Sequence, residues 1–328
     1  VSEDSTAESI PDLLEFLLGL LSPKILEEGL RLQEGVSRLV HYTSAENALN
    51  ILSTRKFWLR NVSCMNDYSE VQHGIKLLVS AFGGEDNPRI NRLYGALDKL
   101  APGAAKAAVE KFNLWIPRLP NITFIGCLSL ADADDRYGRL SMWRGYSSSK
   151  GGVALVLNNG PFLSETDALG AYSLPVVYFT DEEFLEGIDR SLTGLEEFVP
   201  KLDKVDAEII EHTIFWWLLS LAVGCKHPGF NEEREWRILF IPEMFPSDVI
   251  EESVASVNGL PQIVQKIPLE NDPEKGLIDA SPDKLIHRVI IGPSEFPMVQ
   301  FDAFAKILKD AGIEKPEERI SLSLIPLR

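Results

Sequence analysis

Two apolar runs of strand length, NITFIGCLSL over residues 121–130 and GGVALVL over 151–157, constrain this fold more than any other feature. Both are rich in Ile, Val and Leu and suit strands in the middle of a sheet, covered on both faces. A charged, Gly-containing connection joins them. On either side the pattern is mixed. The sequence predicts a strand from Ser37 to Thr43, a helix over Ala45–Leu52, a short strand over Phe57–Arg60 and a helix over Asn66–Phe82. In the last of these, Asp67 and Glu70 stand three apart as in a capping box. Residues 86–119 read as helical. Further strands are expected at Val176–Phe179, Arg234–Ile241, Leu285–Ile291 and Arg319–Ile325, with a helix over Val299–Ala311 after the Gly292-Pro293 turn. Residues 243–283 read as a loose acidic stretch. Strands separated irregularly by helices, without a repeating βα rhythm, predict an α+β domain over a doubly wound sheet.

Residues 10–34 read as two short helices broken at Ser22-Pro23, with Leu13, Leu14, Leu17, Leu18 and Leu21 on the first. They are expected as an N-terminal helical extension over residues 1–36, ahead of one α+β domain over 37–328. Such a Leu-rich face either packs on the domain or meets a second copy or protein partner. The segment TIFWWLLSLAVG, residues 213–224, is apolar on nearly every side and should be buried.

The chain of 328 residues carries 32 Lys and Arg against 49 Asp and Glu, a net charge of −17. Its surface as a whole repels nucleic-acid backbones and anionic lipid, so no membrane partner is expected and a nucleic acid would need a local basic cleft. The apolar stretch Ile10–Leu21 is too short for a spanning helix and contains Asp12 and Glu15; no basic region precedes it. Three widely spaced cysteines give neither a disulfide framework nor a zinc knuckle, which suits the cytoplasm. Cys225-Lys226-His227 offers two ligand types without two more at recognisable spacing, so no metal is expected. Neither G-x-G-x-x-G nor G-x-x-x-x-G-K-[ST] occurs, which excludes the usual dinucleotide and P-loop cradles.

Three stretches can carry chemistry. In FNEEREWRILFIP, residues 230–242, strand alternation sends Trp236, Ile238 and Phe240 to one face and Glu233, Glu235 and Arg237 to the other. Two carboxylates on one face raise the pKa of at least one unless a cation such as Arg237 sits beside it; an ordinary exposed, charge-alternating strand face is the plainer explanation. In the first strand, Leu39, His41 and Thr43 share one face, and Val40 and Tyr42 the other. In RLSMWRGYSSSKGGVALVL, residues 139–157, Trp143 and Tyr146 stand three apart, as an aromatic face or as core anchors. Arg139, Arg144 and Lys150 make this the most basic stretch, suited to a pyrophosphate.

The order H-Y-T-S (41–44), Asn66-Asp67-x-x-Glu70, C-L-S (127–129), M-W-x-x-Y (142–146), G-V-A-L (152–155), E-x-E-x-R (233–237) and I-x-G-P (290–293) resembles a bacterial family known as a domain of unknown function. The likeness spans roughly residues 37–325. That family is in turn similar to divergent ADP-ribosyltransferases, in which a split, mainly antiparallel sheet holds NAD in an open cleft. The resemblance implies an NAD-dependent ADP-ribosyltransferase or NAD glycohydrolase, as a bacterial toxin or anti-phage effector acting on a macromolecular acceptor. The alternative it implies is a catalytically inactive ligand-sensing or protein-interaction module on the same fold. Carried over by position, His41 would touch the adenosine ribose, the Tyr42 backbone the nicotinamide amide, and Thr43 would support the site. Tyr146, or Trp143 in competition, would stack on nicotinamide, and Arg144 would serve the dinucleotide. Glu235 would stabilise the oxocarbenium-like transition state and Glu233 would orient or deprotonate the acceptor. Where the family has glycine after the histidine, this chain has Tyr42.

Overall fold

The computed structural model describes residues 10–65, 70–147, 151–163, 167–202, 205–257 and 259–326. The expected Asp67 cap and Lys150 lie outside them. In chain order the helices are α1 (Ile10–Leu21), α2 (Pro23–Gln33), α3 (Ala45–Thr54), α4 (Glu70–Phe82), α5 (Pro88–Leu97), α6 (Ala104–Trp115), α7 (Leu119–Ile122), α8 (Leu140–Tyr146), α9 (Asp181–Phe198), α10 (Ala207–Gly224), α11 (Pro282–Leu285) and α12 (Pro297–Asp310). The strands are β1 (Ser37–Ser44), β2 (Lys56–Asn61), β3 (Phe124–Asp132), β4 (Gly152–Leu157), β5 (Ala171–Pro175), β6 (Val177–Tyr178), β7 (Cys225–Lys226), β8 (Glu235–Phe240), β9 (Glu251–Val257), β10 (Leu260–Pro268), β11 (Ile286–Ile291) and β12 (Ile320–Leu322).

The chain divides into two units, each built from separated segments. The first takes residues up to 29 with 67–120 and 177–229; the second takes 30–66, 121–176 and 230–328. The first unit is helical apart from the parallel pair of β6 and β7. Helix α1 packs on α9 and α10 within it, burying Leu13, Leu17 and Leu21. The Leu-rich face, expected either to pack on the domain or to meet a second copy or protein partner, has a cover inside its own unit. A reciprocal capping box between Thr180 and Glu183 starts α9. Helix α10 is long and apolar enough by composition to cross a membrane, yet 67% of it is buried, as the all-round apolar pattern of 213–224 requires of a core helix. At its closest approach α4 presents Gly74 to α10, where an added Cβ would stand 2.3 Å from the Ala222 carbonyl oxygen.

The second unit carries a ten-stranded sheet, antiparallel except for β11 beside β12. The path runs β12-β11-β4-β1-β3-β2-β10-β9, with β8 and then β5 branching from β3. Phe124 pairs with both Asn61 and Phe240, and Ser129 with both Val40 and Glu235. Strands β1 and β2 therefore share one edge of β3 while β8 occupies the other. Pairing of β1 with β3 ends at Val40, and β2 joins only at Ile125, so the sheet is split between them. The central runs behave as their composition requires, with β4 buried at every position. Residues 243–283, expected as loose, instead hold the β9–β10 hairpin at the sheet edge. The side chains of β9 are largely exposed, so β9 lacks the apolar alternation that marks a half-buried strand. The closing strand is three residues long, shorter than the expected Arg319–Ile325.

The sheet has two unlike faces. Leu39, Leu128, Leu130, Leu155 and Trp236 lie in the larger core with α3 and α12, through residues such as Leu52 and Phe304. Val40, Tyr42, Ala154, Val156 and Ile290 form a smaller core with Met142 and Trp143 of α8. Side chains of successive strand residues alternate between these two faces, so each candidate residue has only one face available to it.

Candidate functional site

One small cleft opens on the α8 face of the second unit. It is lined by Val40 and Tyr42 from β1, Cys127, Leu128 and Ser129 from β3, Met142 and Tyr146 from α8, and Glu233 and Glu235 around the start of β8. Its empty space of about 240 Å³ includes the open solvent at its mouth, and the enclosed part holds little more than a water molecule. Four candidate residues named by three separate motifs, Tyr42, Tyr146, Glu233 and Glu235, thus meet at one place.

Each wall has a local reason. The antiparallel register sets Glu235 opposite Ser129, and Ser129 opposite Val40, which puts all three on one face with Tyr42 two residues on. Trp143 is buried, packs edge-on against Tyr42 at 4.9 Å and donates its indole N–H to the Tyr137 carbonyl at 3.0 Å. One helical turn later Tyr146 is half-buried and reaches the cleft. The spacing left these two aromatics in competition; Trp143 is the core anchor and Tyr146 the cleft wall. Arg144 is exposed on α8 and does not line the cleft.

Glu235 is almost fully buried beside Arg237, which has no exposed side-chain surface. Arg237 Nε donates to Glu235 Oε1 at 2.8 Å and Nη2 to Oε2 at 3.2 Å. Such a fork fixes the plane of the Glu235 carboxylate. Glu233 ends a 3-10 turn at Pro228–Glu233, and Arg234 follows at φ 41°, a left-handed backbone that re-aims the chain into β8. The Ser129 hydroxyl donates to the Glu233 carbonyl, holding that turn against β3. Burial raises the pKa of Tyr42 first of all, and its hydroxyl accepts from the Arg139 backbone N–H at 3.0 Å. Tyr42 is accordingly a neutral wall fixed at both ends of its ring.

Arg139 carries more of this site than its sequence context suggested. Its guanidinium donates to the carbonyls of Glu232 and Leu130, and its backbone to Tyr42, so one residue joins β1, β3, the turn before β8 and the start of α8. The basic character of 139–150 hinted at a phosphate contact; the bonds of Arg139 to these carbonyls give it a clamping role.

His41 and Thr43 lie on the opposite face from Glu235, as strand alternation requires, and neither lines the cleft. The His41 ring occupies the split: Nδ1–H donates to the Cys127 carbonyl at 2.9 Å and the ring meets Phe57 of β2 edge-on at 5.0 Å. Burial lowers its pKa, with the carbonyl contact opposing, so the neutral imidazole is favoured. Thr43 Oγ1 accepts from Asn47 Nδ2 at 3.3 Å and, beside the Ser44 cap, fastens the start of α3. His41 therefore does not share the cleft that Glu235 lines. Among the described residues no three His, Cys, Asp or Glu side chains gather to hold a metal.

Residues 142–238 match a family described only as a protein of unknown function, DUF2971. The DUF2971 match begins on α8 at Met142 and ends on β8 at Ile238, so it takes in Tyr146, Glu233, Glu235 and Arg237 and leaves out β1 and β3. It covers less than a third of the chain. No curated protein matches the chain, and no solved structure does.

Proposed function

We propose that the cleft takes the nicotinamide-ribose end of NAD and that the chain cleaves the bond between the ribose and the pyridinium nitrogen, by ADP-ribosyl transfer or by hydrolysis. The observation that carries this reading is the convergence of two tyrosines and two glutamates, from three segments of the chain, on one cleft beside a split in an antiparallel sheet. A planar cationic ring suits an aromatic wall such as Tyr146. Carboxylates suit the positive charge that develops at the anomeric carbon. Glu235, held by Arg237, accepts from a ribose hydroxyl. Glu233 takes the proton of the acceptor oxygen as that oxygen bonds to the anomeric carbon. The electron pair of the breaking bond goes to the pyridinium nitrogen, and nicotinamide leaves neutral. The enclosed part of the cleft is small, so in this reading most of the dinucleotide lies against its open mouth. The acceptor is water or a cytoplasmic macromolecule, which fits a toxin or defence effector.

A second reading is favoured by the buried Glu235–Arg237 pair and by the placement of His41: the same cleft binds a ligand without turning it over. One experiment separates the two. Wild type, Glu233→Gln and Tyr146→Ala are incubated with NAD, free nicotinamide is followed by NMR, and NAD binding is measured by calorimetry on the same samples. Release by wild type that falls at least a hundredfold in Glu233→Gln supports the catalytic reading. Binding without release supports the second. Neither binding nor release sinks both.

A further inference from the structure

The chain is strongly acidic, yet one corner of the second unit gathers positive charge. Arg38 lies on β1, His287 and Arg288 on β11, Arg319 immediately before β12, and Arg136 on the loop after β3. Val156 of β4 pairs with both Val40 and Arg288, so Arg38 and Arg288 flank the end of β4 on one face. His287 stands at the register shift between Ile286 and Arg288, and Arg319 precedes Ile320, the partner of Val289.

The bonds these side chains make are to neutral acceptors. Arg38 Nη1 donates to Asn158 Oδ1 at 2.9 Å, and Arg288 to the carbonyls of Ala133 at 3.1 Å and Asp135 at 3.2 Å. Arg319 Nη1 donates to the carbonyls of Asp283 and Ile286. Among the described residues none of these three guanidiniums has a carboxylate within ion-pair distance; Asp134 and Asp135 are the acidic groups that bear on Arg288 from farther off. Among the described residues Arg38 Nε is buried and has no acceptor. A buried N–H of a charged group is rarely left unbonded, and water or an anion ordinarily meets it.

We propose that this corner is a binding site for a phosphoryl oxyanion, with the guanidiniums of Arg38, Arg288 and Arg319 as its donors and His287 at its rim. Planar, forked guanidiniums match the several acceptor oxygens of a phosphoryl group better than a single carboxylate does. The corner shares no residue with the tyrosine–glutamate cleft, so the proposal stands independently of the NAD reading.

His287 is the reporter. Burial first, and then Arg38, Arg288 and Arg319, push its pKa down to about 4; an anion among those arginines reverses their part. Calorimetry at pH 7 with inorganic phosphate and with ribose 5-phosphate measures binding to the full chain. A histidine NMR titration in sulfate, which stays a dianion in acid, is compared with chloride at equal ionic strength. The expected result is saturable binding, weakened at least tenfold in Arg38→Met, and a His287 midpoint at least one unit higher in sulfate than in chloride. Ribose 5-phosphate binding tenfold tighter than phosphate identifies an esterified ligand; equal affinities identify the free ion. An unchanged His287 midpoint in wild type, or an equal response in a folded Arg38→Met, overturns the site. The wild-type comparison of the two salts decides the matter even where the variant does not fold.

Discussion

Arg237 and Glu235, two residues apart on β8, form a forked ion pair with both partners inside the protein. Glu235→Gln would leave the guanidinium buried without its counter-charge, and breaking such a pair destabilises by about 3–5 kcal/mol. We expect that loss in urea denaturation, with a substantial part restored in the double variant Glu235→Gln, Arg237→Met. A loss under about 1 kcal/mol would show the pair to be solvated. The same result explains why Glu233→Gln is the cleaner probe of chemistry at the cleft.

Trp143 and Tyr146 should separate stability from binding. Trp143→Ala empties a buried site against Tyr42 and should destabilise by about 3–5 kcal/mol. Tyr146→Ala, at a half-buried cleft wall, should lower thermal stability far less while weakening NAD binding at least tenfold. Equal effects of the two on stability would return Tyr146 to the core.

Acid should weaken the fold through its histidines before its carboxylates. His41 and His287 both have folded pKa values below the ordinary histidine value, His287 at about 4. Between about 6.5 and 4 the unfolded chain binds protons that the folded chain excludes, so stability is complete above that window and falls as pH drops through it. The lowered carboxylates, Asp189 beside Arg89 and Glu196 beside Arg92, lose their contribution only at lower pH. Urea midpoints measured from pH 7 to 4.5 should decline, and His287→Gln should flatten the slope. A pH-independent midpoint in wild type would contradict the lowered pKa values of the two rings.

Gly74→Ala tests the helical unit by itself. The new methyl group meets the Ala222 and Leu221 carbonyl oxygens at 2.3 and 2.7 Å, so α4 and α10 must move apart. Overpacking of this kind destabilises by about 1–3 kcal/mol, and a fall in melting temperature checks it. An unchanged melting temperature would show the helices free to adjust.

Strand parity was legible in the chain itself, because side-chain direction alternates whatever the partner strand: His41 with Thr43, Tyr42 with Val40, and Glu235 with Arg237 all share faces as expected. The central position of 124–132 and 152–157 was legible too, since short apolar runs rich in Ile, Val and Leu suit a strand covered on both faces. Which of the two faces would carry the cleft was not, because that depends on α8 covering one side and α3 with α12 the other. The competition between Trp143 and Tyr146 was settled by the way α8 packs, and the bond between His41 and the Cys127 carbonyl by the point where β1 leaves β3. These are contacts between residues far apart in the chain, and local periodicity holds no record of which distant surface will meet it.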